Sequence, residues 1–326
     1  MALNQEAIAA AVAKEIERQQ KEVVYEDLSV DELNKVCEQL TAKLEMVKAA
    51  AAKKGGKAEA AAMKARKVDS SAKFPELPWG VAGKQDAEKI RAYIEKTMQE
   101  RVMVIDGAMG TTIQQYKFSE ADFRGDKFTS IPETQEVKGN NDLLVFTQPD
   151  TIRDIHYRYF DCGADICETN TFSGTVIAQA DYGMEHIVYD LNKIACELAV
   201  DAAKEVTARE PHRPRLVAGA IGPTNRTLSI SPSVEDPGYR NCTWDEVVSA
   251  YKTQVKGLID GGCHIILVET IFDSLNAKAA LFAIDEYYEE SGCPKLPIFI
   301  SGTIVDQSGR TLSGQTTEAF YVSMAH

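Results

Sequence analysis

Nowhere in its 326 residues does the chain hold a run approaching the ~20 consecutive apolar residues that a membrane span needs. Residues 1–18 also lack the apolar centre of a secretory signal, so neither a membrane nor export is expected. A C-x-x-C pair is missing too, because the seven cysteines lie scattered at 37, 162, 167, 196, 242, 263 and 293. In a chain of this length that pattern points to reduced thiols in a cytoplasmic protein rather than to a disulfide framework. The five histidines show no metal-ligand spacing and no pairing with a nucleophile, so they read as surface or core side chains. A zinc site needs three or four converging ligands, and no spacing here supplies them. Excess positive charge is absent as well: a net charge of −13 argues against general nucleic-acid binding.

The charge is uneven, however. From Lys43 to Lys67 there are 8 Lys/Arg against 2 Glu, in an alanine-rich run that reads as a solvated linker or helix rather than an arm for RNA or an acidic partner. Upstream, Ile8, Val12 and Ile16 form one apolar stripe. Leu33, Val36, Leu40, Leu44 and Val47 form another, after the capping-box pattern Ser29-Val30-Asp31-Glu32. Residues 1–67 are therefore expected as an α-helical hairpin appendage with a basic low-complexity end. Residues 68–84, with Pro75, Pro78 and Gly83, read as a linker.

From residue 85 onward, apolar β runs alternate with amphipathic helices. Helices are expected over 86–99, 147–162, 184–209, from Thr243 to Gly261-Gly262, and from Asp273 to Gly292. Strands joined by single helices imply a parallel sheet. Each apolar run ends in acidic, polar or glycine residues: Val102–Ile105 in Asp106-Gly107, Ala164–Cys167 in Glu168-Thr169-Asn170, Leu216–Ala218 in Gly219, Ile265–Val268 in Glu269-Thr270, and Ile298–Ile300 in Ser301-Gly302. The first turn, Gly107-Ala108-Met109-Gly110, lacks the G-x-G-x-x-G of an open dinucleotide-binding sheet. Polar groups at the ends of many strands are the habit of a (β/α)₈ TIM barrel. The fold expected is thus α/β, a barrel truncated after about five βα units, and such an open sheet should fold poorly alone.

Asp106 and Glu269 each follow four apolar residues, which places a carboxylate at the lip of the sheet, where it can hold a substrate ammonium. Helix capping is the alternative role. Gly107 and Gly110 let the backbone approach a ligand, and their N–H groups could hold a carboxylate. Asn170 positions a substrate or braces a loop, with bracing the favoured reading. Cys167 alternates away from Glu168 and should face the other side of its strand.

These strings resemble the homocysteine S-methyltransferase family: Asp106-Gly107-Ala108-Met109-Gly110-Thr111, Glu168-Thr169-Asn170-Thr171-Phe172 and Gly219-Ala220-Ile221-Gly222-Pro223-Thr224-Asn225. Longer strings at 138–142, 177–183, 228–235 and 309–316 are similar to its cobalamin-dependent methionine synthases. The resemblance spans about 100–326 and leaves out 1–84. It implies homocysteine as substrate, zinc on its thiol, methylcobalamin as methyl donor and methyltetrahydrofolate as the source of the methyl group. It also implies that Asp106 and Glu269 meet the amino group and the Gly107 backbone meets the carboxylate. Asn170 and Ser301 become wall residues.

The family's three zinc cysteines match none of the seven here. Residues 85–326 are accordingly expected as an incomplete homocysteine-binding barrel without catalytic or metal ligands of its own, inactive when isolated, the folate and cobalamin modules lying elsewhere. Two alternatives remain: a homocysteine methyltransferase using betaine or S-methylmethionine, and a non-catalytic binding or interaction module.

Overall fold

The computed structural model describes residues 64–66 and 72–325, apart from 130, 133 and 306. These belong to one compact unit, 62–326. The helical hairpin expected over 1–67 lies outside the described residues but for 64–66.

Four strands, β3 (Ile166–Glu168), β4 (Leu216–Ile221), β5 (Ile265–Ile271) and β6 (Ile298–Gly302), form a parallel sheet in chain order. Ile105 adds a parallel bridge to Ile166 on the other side of β3. Strand order that follows chain order excludes a doubly wound sheet, which reverses direction at a switch point. Among the described residues the sheet is open, and Ile298 and Ile300 on its last strand stay about one-third exposed (36% and 38%).

The expected first strand, 102–105, is reduced to that single bridge. The Asp165 carboxylate intervenes: it accepts the Val104 N–H at 2.9 Å, while the Asp165 N–H donates to the Val104 carbonyl at 2.8 Å. Arg101 and Arg213 close on the same carboxylate at 2.7 and 2.8 Å.

Helix boundaries follow local chemistry. Helix α1 (Ala87–Glu100) starts where the Asp86 side chain accepts the Lys89 N–H. The short helices α2 (Met109–Gln114) and α3 (Glu120–Arg124) follow. The helix expected over 147–162 is α5 (Pro149–Asp161), preceded by a separate turn of helix, α4 (Leu144–Thr147). Pro149 has no N–H to continue the earlier turn and suits a first helical position. After α6 (Val176–Gln179), the helix expected from 184 begins as a 3₁₀ turn at Glu185–Ile187 and becomes α7 (Val188–Arg209). A Thr243/Glu246 capping box opens α8 (Trp244–Gly261), Asp273 caps α9 (Ser274–Ser291), and α10 (Thr317–Met324) comes last. Gly262 and Gly292, at φ 95° and 65°, end α8 and α9.

α5, α7, α8 and α9 pack side by side around the sheet's main core. α8 approaches α7 through Gly257 and Gly261: a Cβ at the first would lie 2.7 Å from the Tyr189 carbonyl, and at the second 2.6 Å from Cys196 Cβ. A second apolar cluster, including Ile113, Phe123, Leu143, Leu144 and Ile152, supports the loops above the first two strand ends.

The stretch expected as linker holds structure. A hairpin of β1 (Gly80–Val81) and β2 (Lys84–Gln85) sits beside Leu77 and Trp79, both buried. Trp79 Nε1 donates to the Arg215 carbonyl at 2.8 Å, and Gln85 Nε2 donates to the carbonyls of Ile259 and Cys263. Arg215 and Cys263 precede β4 and β5, so this segment covers the N-terminal end of the sheet and leaves the opposite end for chemistry.

Candidate functional site

A cavity of about 340 Å³ opens at the C-terminal ends of the strands. Its lining includes Asp106 beyond the Ile105 bridge, Glu168 at the end of β3 and Glu269 near the end of β5, together with Gly107 to Gly110, Asn170, Phe172 and Tyr182. Asp142, from the 3₁₀ turn Asn141–Leu143, supplies a fourth carboxyl group. Among the described residues, no lysine, arginine or histidine lines the cavity.

Hydrogen bonds fix these groups. Asp106 Oδ1 accepts the Glu168 N–H at 2.8 Å, and the Asp106 N–H donates to the Ile166 carbonyl at 2.9 Å. Asp142 Oδ2 accepts the Ser173 N–H at 2.7 Å. Asn170 Nδ2 donates to the Asn141 carbonyl at 2.8 Å, so its amide braces the loop that carries Asp142. Deeper, Asn140 and Gln179 exchange amide hydrogen bonds of 2.7 and 3.2 Å, and Gln179 Nε2 also holds the Ser173 carbonyl. Thr270 Oγ1 donates to Glu269 Oε2 at 3.3 Å.

Burial without a cation raises the affinity of the carboxyl groups for protons. Burial pushes Asp106 up to about 7, against the lowering effect of its amide hydrogen bond. Asp142 also rises to about 7 and Glu168 to about 8, in each case by burial first and by the charge of Glu269 second. Burial raises Glu269 as well, and the Thr270 hydrogen bond opposes the rise. Four acids thus face one cavity with their charged forms under-compensated. A ligand ammonium would supply the missing charge.

Of the residues expected at a binding site, Asp106, Gly107, Asn170 and Glu269 come together here, whereas Ser301 is exposed on β6 and does not line the cavity. The role of Asp142 was not legible, because an acid within Asn-Asn-Asp looks like turn chemistry. Neither Gln179 nor Tyr182 carried a signal beyond its place in a family-like string.

Zinc, implied by the family resemblance, calls for nitrogen or sulfur ligands around a position open to the thiol. Asp106, His156 and Cys167 bring one potential ligand atom each to within 4.8 Å of one another, a convergence that spacing did not reveal. Both ring nitrogens of His156 lack a hydrogen-bond partner among the described residues, and burial lowers its pKa to about 4. His156 and Cys167 are nevertheless wholly buried beside β3 and take no part in the cavity lining. The cavity itself offers carboxylates and amides. These residues do not fit a zinc that activates a thiol.

Residues 103–326 match the family model of the homocysteine S-methyltransferases, and the chain belongs to that family. Among solved structures it is similar to the homocysteine methyltransferase MmuM from Escherichia coli. The metallated form has a TM-score of 0.55 at 22% identity, over 72% of this chain and 73% of that one. The oxidized form has a TM-score of 0.54 at 22% identity, over 72% of each. At that identity the likeness concerns the fold. No helix among the described residues is long and apolar enough to cross a membrane.

Proposed function

From membership of the homocysteine S-methyltransferase family, we propose that the acidic cavity binds homocysteine as the methyl acceptor in methionine formation. The observation that carries this reading is four carboxyl groups around one cavity whose lining, among the described residues, holds no basic side chain. Such a site favours a ligand cation and disfavours a free carboxylate, unless backbone N–H groups receive the latter. Asp106 and Glu269 take the substrate ammonium, with Asp142 and Glu168 adding to the negative potential. The substrate carboxylate lies against the backbone of Gly107 to Gly110, where α2 begins and its first N–H groups have no intrahelical partner. A notional Cβ on Gly107 meets nothing within 4 Å, so ligand atoms can approach that backbone closely.

Held by its amino-acid end, the substrate has its side chain free to extend, with the thiol as the group to be methylated. The strings at 177–183 and 309–316 favour methylcobalamin as donor, as in the cobalamin-dependent methionine synthases. The eight-stranded barrel and the part of the site that activates the thiol belong to the same reading.

Calorimetry with three ligands tests it: homocysteine, its analogue lacking the amino group, and its analogue lacking the carboxylate. Homocysteine should bind, and loss of the amino group should cost at least about tenfold in affinity, the scale of a charge-assisted hydrogen bond. Equal affinity for the deaminated analogue would overturn the assignment.

A further inference from the structure

Two adjacent residues of β5 interrupt an otherwise regular ladder. Val268 pairs with Ile300 and Ile271 with Gly302, so Glu269 and Thr270 stand opposite Ser301 alone. This is a β-bulge, a device that redirects a side chain at the end of a strand. Pairing resumes beyond it, with the Thr303 N–H donating to the Ile271 carbonyl at 2.8 Å. Inside the bulge Thr270 has φ 54°, a left-handed conformation that a β-branched residue rarely adopts. Glycine would take that conformation at lower cost. The residue present instead carries a hydroxyl group, 3.3 Å from Glu269 Oε2. Glu269 lines the cavity and Thr270 does not.

We infer that Thr270 is a positioning residue for homocysteine binding: its left-handed bulge turns the Glu269 carboxylate into the cavity, and its hydroxyl holds one oxygen there. This rests on the reading of Glu269 as a ligand of the substrate ammonium. The hydroxyl can only donate to an ionised carboxylate, so it favours the charged form that an ammonium requires. Asp106, Asp142 and Glu168 face the same cavity and oppose that form by their own charge. Thr270, outside the cavity lining, supplies a neutral donor to Glu269 without adding a competing cation.

The test combines two readouts on the full chain carrying Thr270→Val, Thr270→Ser, Thr270→Gly or Glu269→Gln. In protein labelled with ¹³C at glutamate carboxyls, the Glu269 resonance is identified by its loss in Glu269→Gln and titrated without ligand. Thr270→Val should move its titration to higher pH and Thr270→Ser should leave it near wild type. Homocysteine affinity should fall about tenfold in Thr270→Val and return to within about twofold in Thr270→Ser. Thr270→Gly should melt no lower than wild type, since strain is relieved, and still bind homocysteine more weakly. A role in folding alone would move the melting temperature and not the Glu269 titration. An unchanged titration in Thr270→Val overturns the inference. If the titration moves while Glu269→Gln binds homocysteine as wild type does, the hydroxyl–carboxylate contact stands, but the assignment of Glu269 to the substrate fails and the role of Thr270 in binding fails with it.

Discussion

Asp106 Oδ1 accepts the backbone N–H of Glu168 at 2.8 Å, so the acidic side chain beyond one strand segment is fixed to the acidic residue that ends the next. The bond sets the spacing of two groups that repel when ionised. Each is part-buried, and each has its proton affinity raised. A site assembled this way stores repulsion that a bound cation releases.

That repulsion should appear in stability. Asp106 and Asp142 are raised to about 7 and Glu168 to about 8 from ordinary values near 4. Between these limits the folded protein holds more protons than the unfolded chain, so stability falls as pH rises from about 4 to about 8. Asp142→Asn removes one buried acid and should be more stable than wild type at pH 8, by on the order of 2 kcal/mol, with little difference near pH 4. Urea unfolding at the two pH values checks this, and a pH-independent difference would contradict it.

Asp165 behaves in the opposite sense. Its carboxylate is almost wholly buried between Arg101 and Arg213. Although burial opposes ionisation, the two guanidinium groups and the Val104 N–H hold its pKa well below the usual carboxylate range. Its contribution to stability is present above about 4 and is lost as pH falls toward the folded value. Asp165→Asn should cost about 1.5–3 kcal/mol, the scale of losing charge-assisted hydrogen bonds, because the two arginines stay about one-third exposed to water. Amide hydrogen exchange at Val104 should accelerate in the same variant; unchanged exchange there would show that the carboxylate does not anchor the edge segment.

Gly222, just past β4, tests the cavity wall. A Cβ at this position would lie 2.3 Å from the Phe172 carbonyl, and Phe172 lines the cavity. Gly222→Ala should therefore destabilise by about 1–3 kcal/mol and also weaken homocysteine binding, because backbone rather than a flexible tip must move. Thermal melts together with calorimetry separate the two effects.

Much of this is legible in the sequence. Apolar runs ending in Asp106, Glu168 and Glu269 placed three of the four acids, because a parallel strand delivers whatever follows its last buried residue to the same end of the sheet. Capping signals at Thr243 and Asp273 located helix starts for the same local reason. Asp142 was missed because it enters the cavity from a 3₁₀ turn supported by Asn170, a contact between distant stretches with no periodic trace. The packing of Trp79 was missed because proline and glycine on both sides read as a linker. The bulge at Thr270 was also invisible: register against β6 is a property of two strands, and neither strand alone records it.

The most direct test of the central claim is a calorimetric titration of wild-type protein and Glu269→Gln with homocysteine at pH 7.5. The account predicts binding by wild type with net proton release from the carboxyl cluster, and an affinity at least about tenfold lower in the variant. Equal affinity in the two proteins, with no proton exchanged, would contradict it.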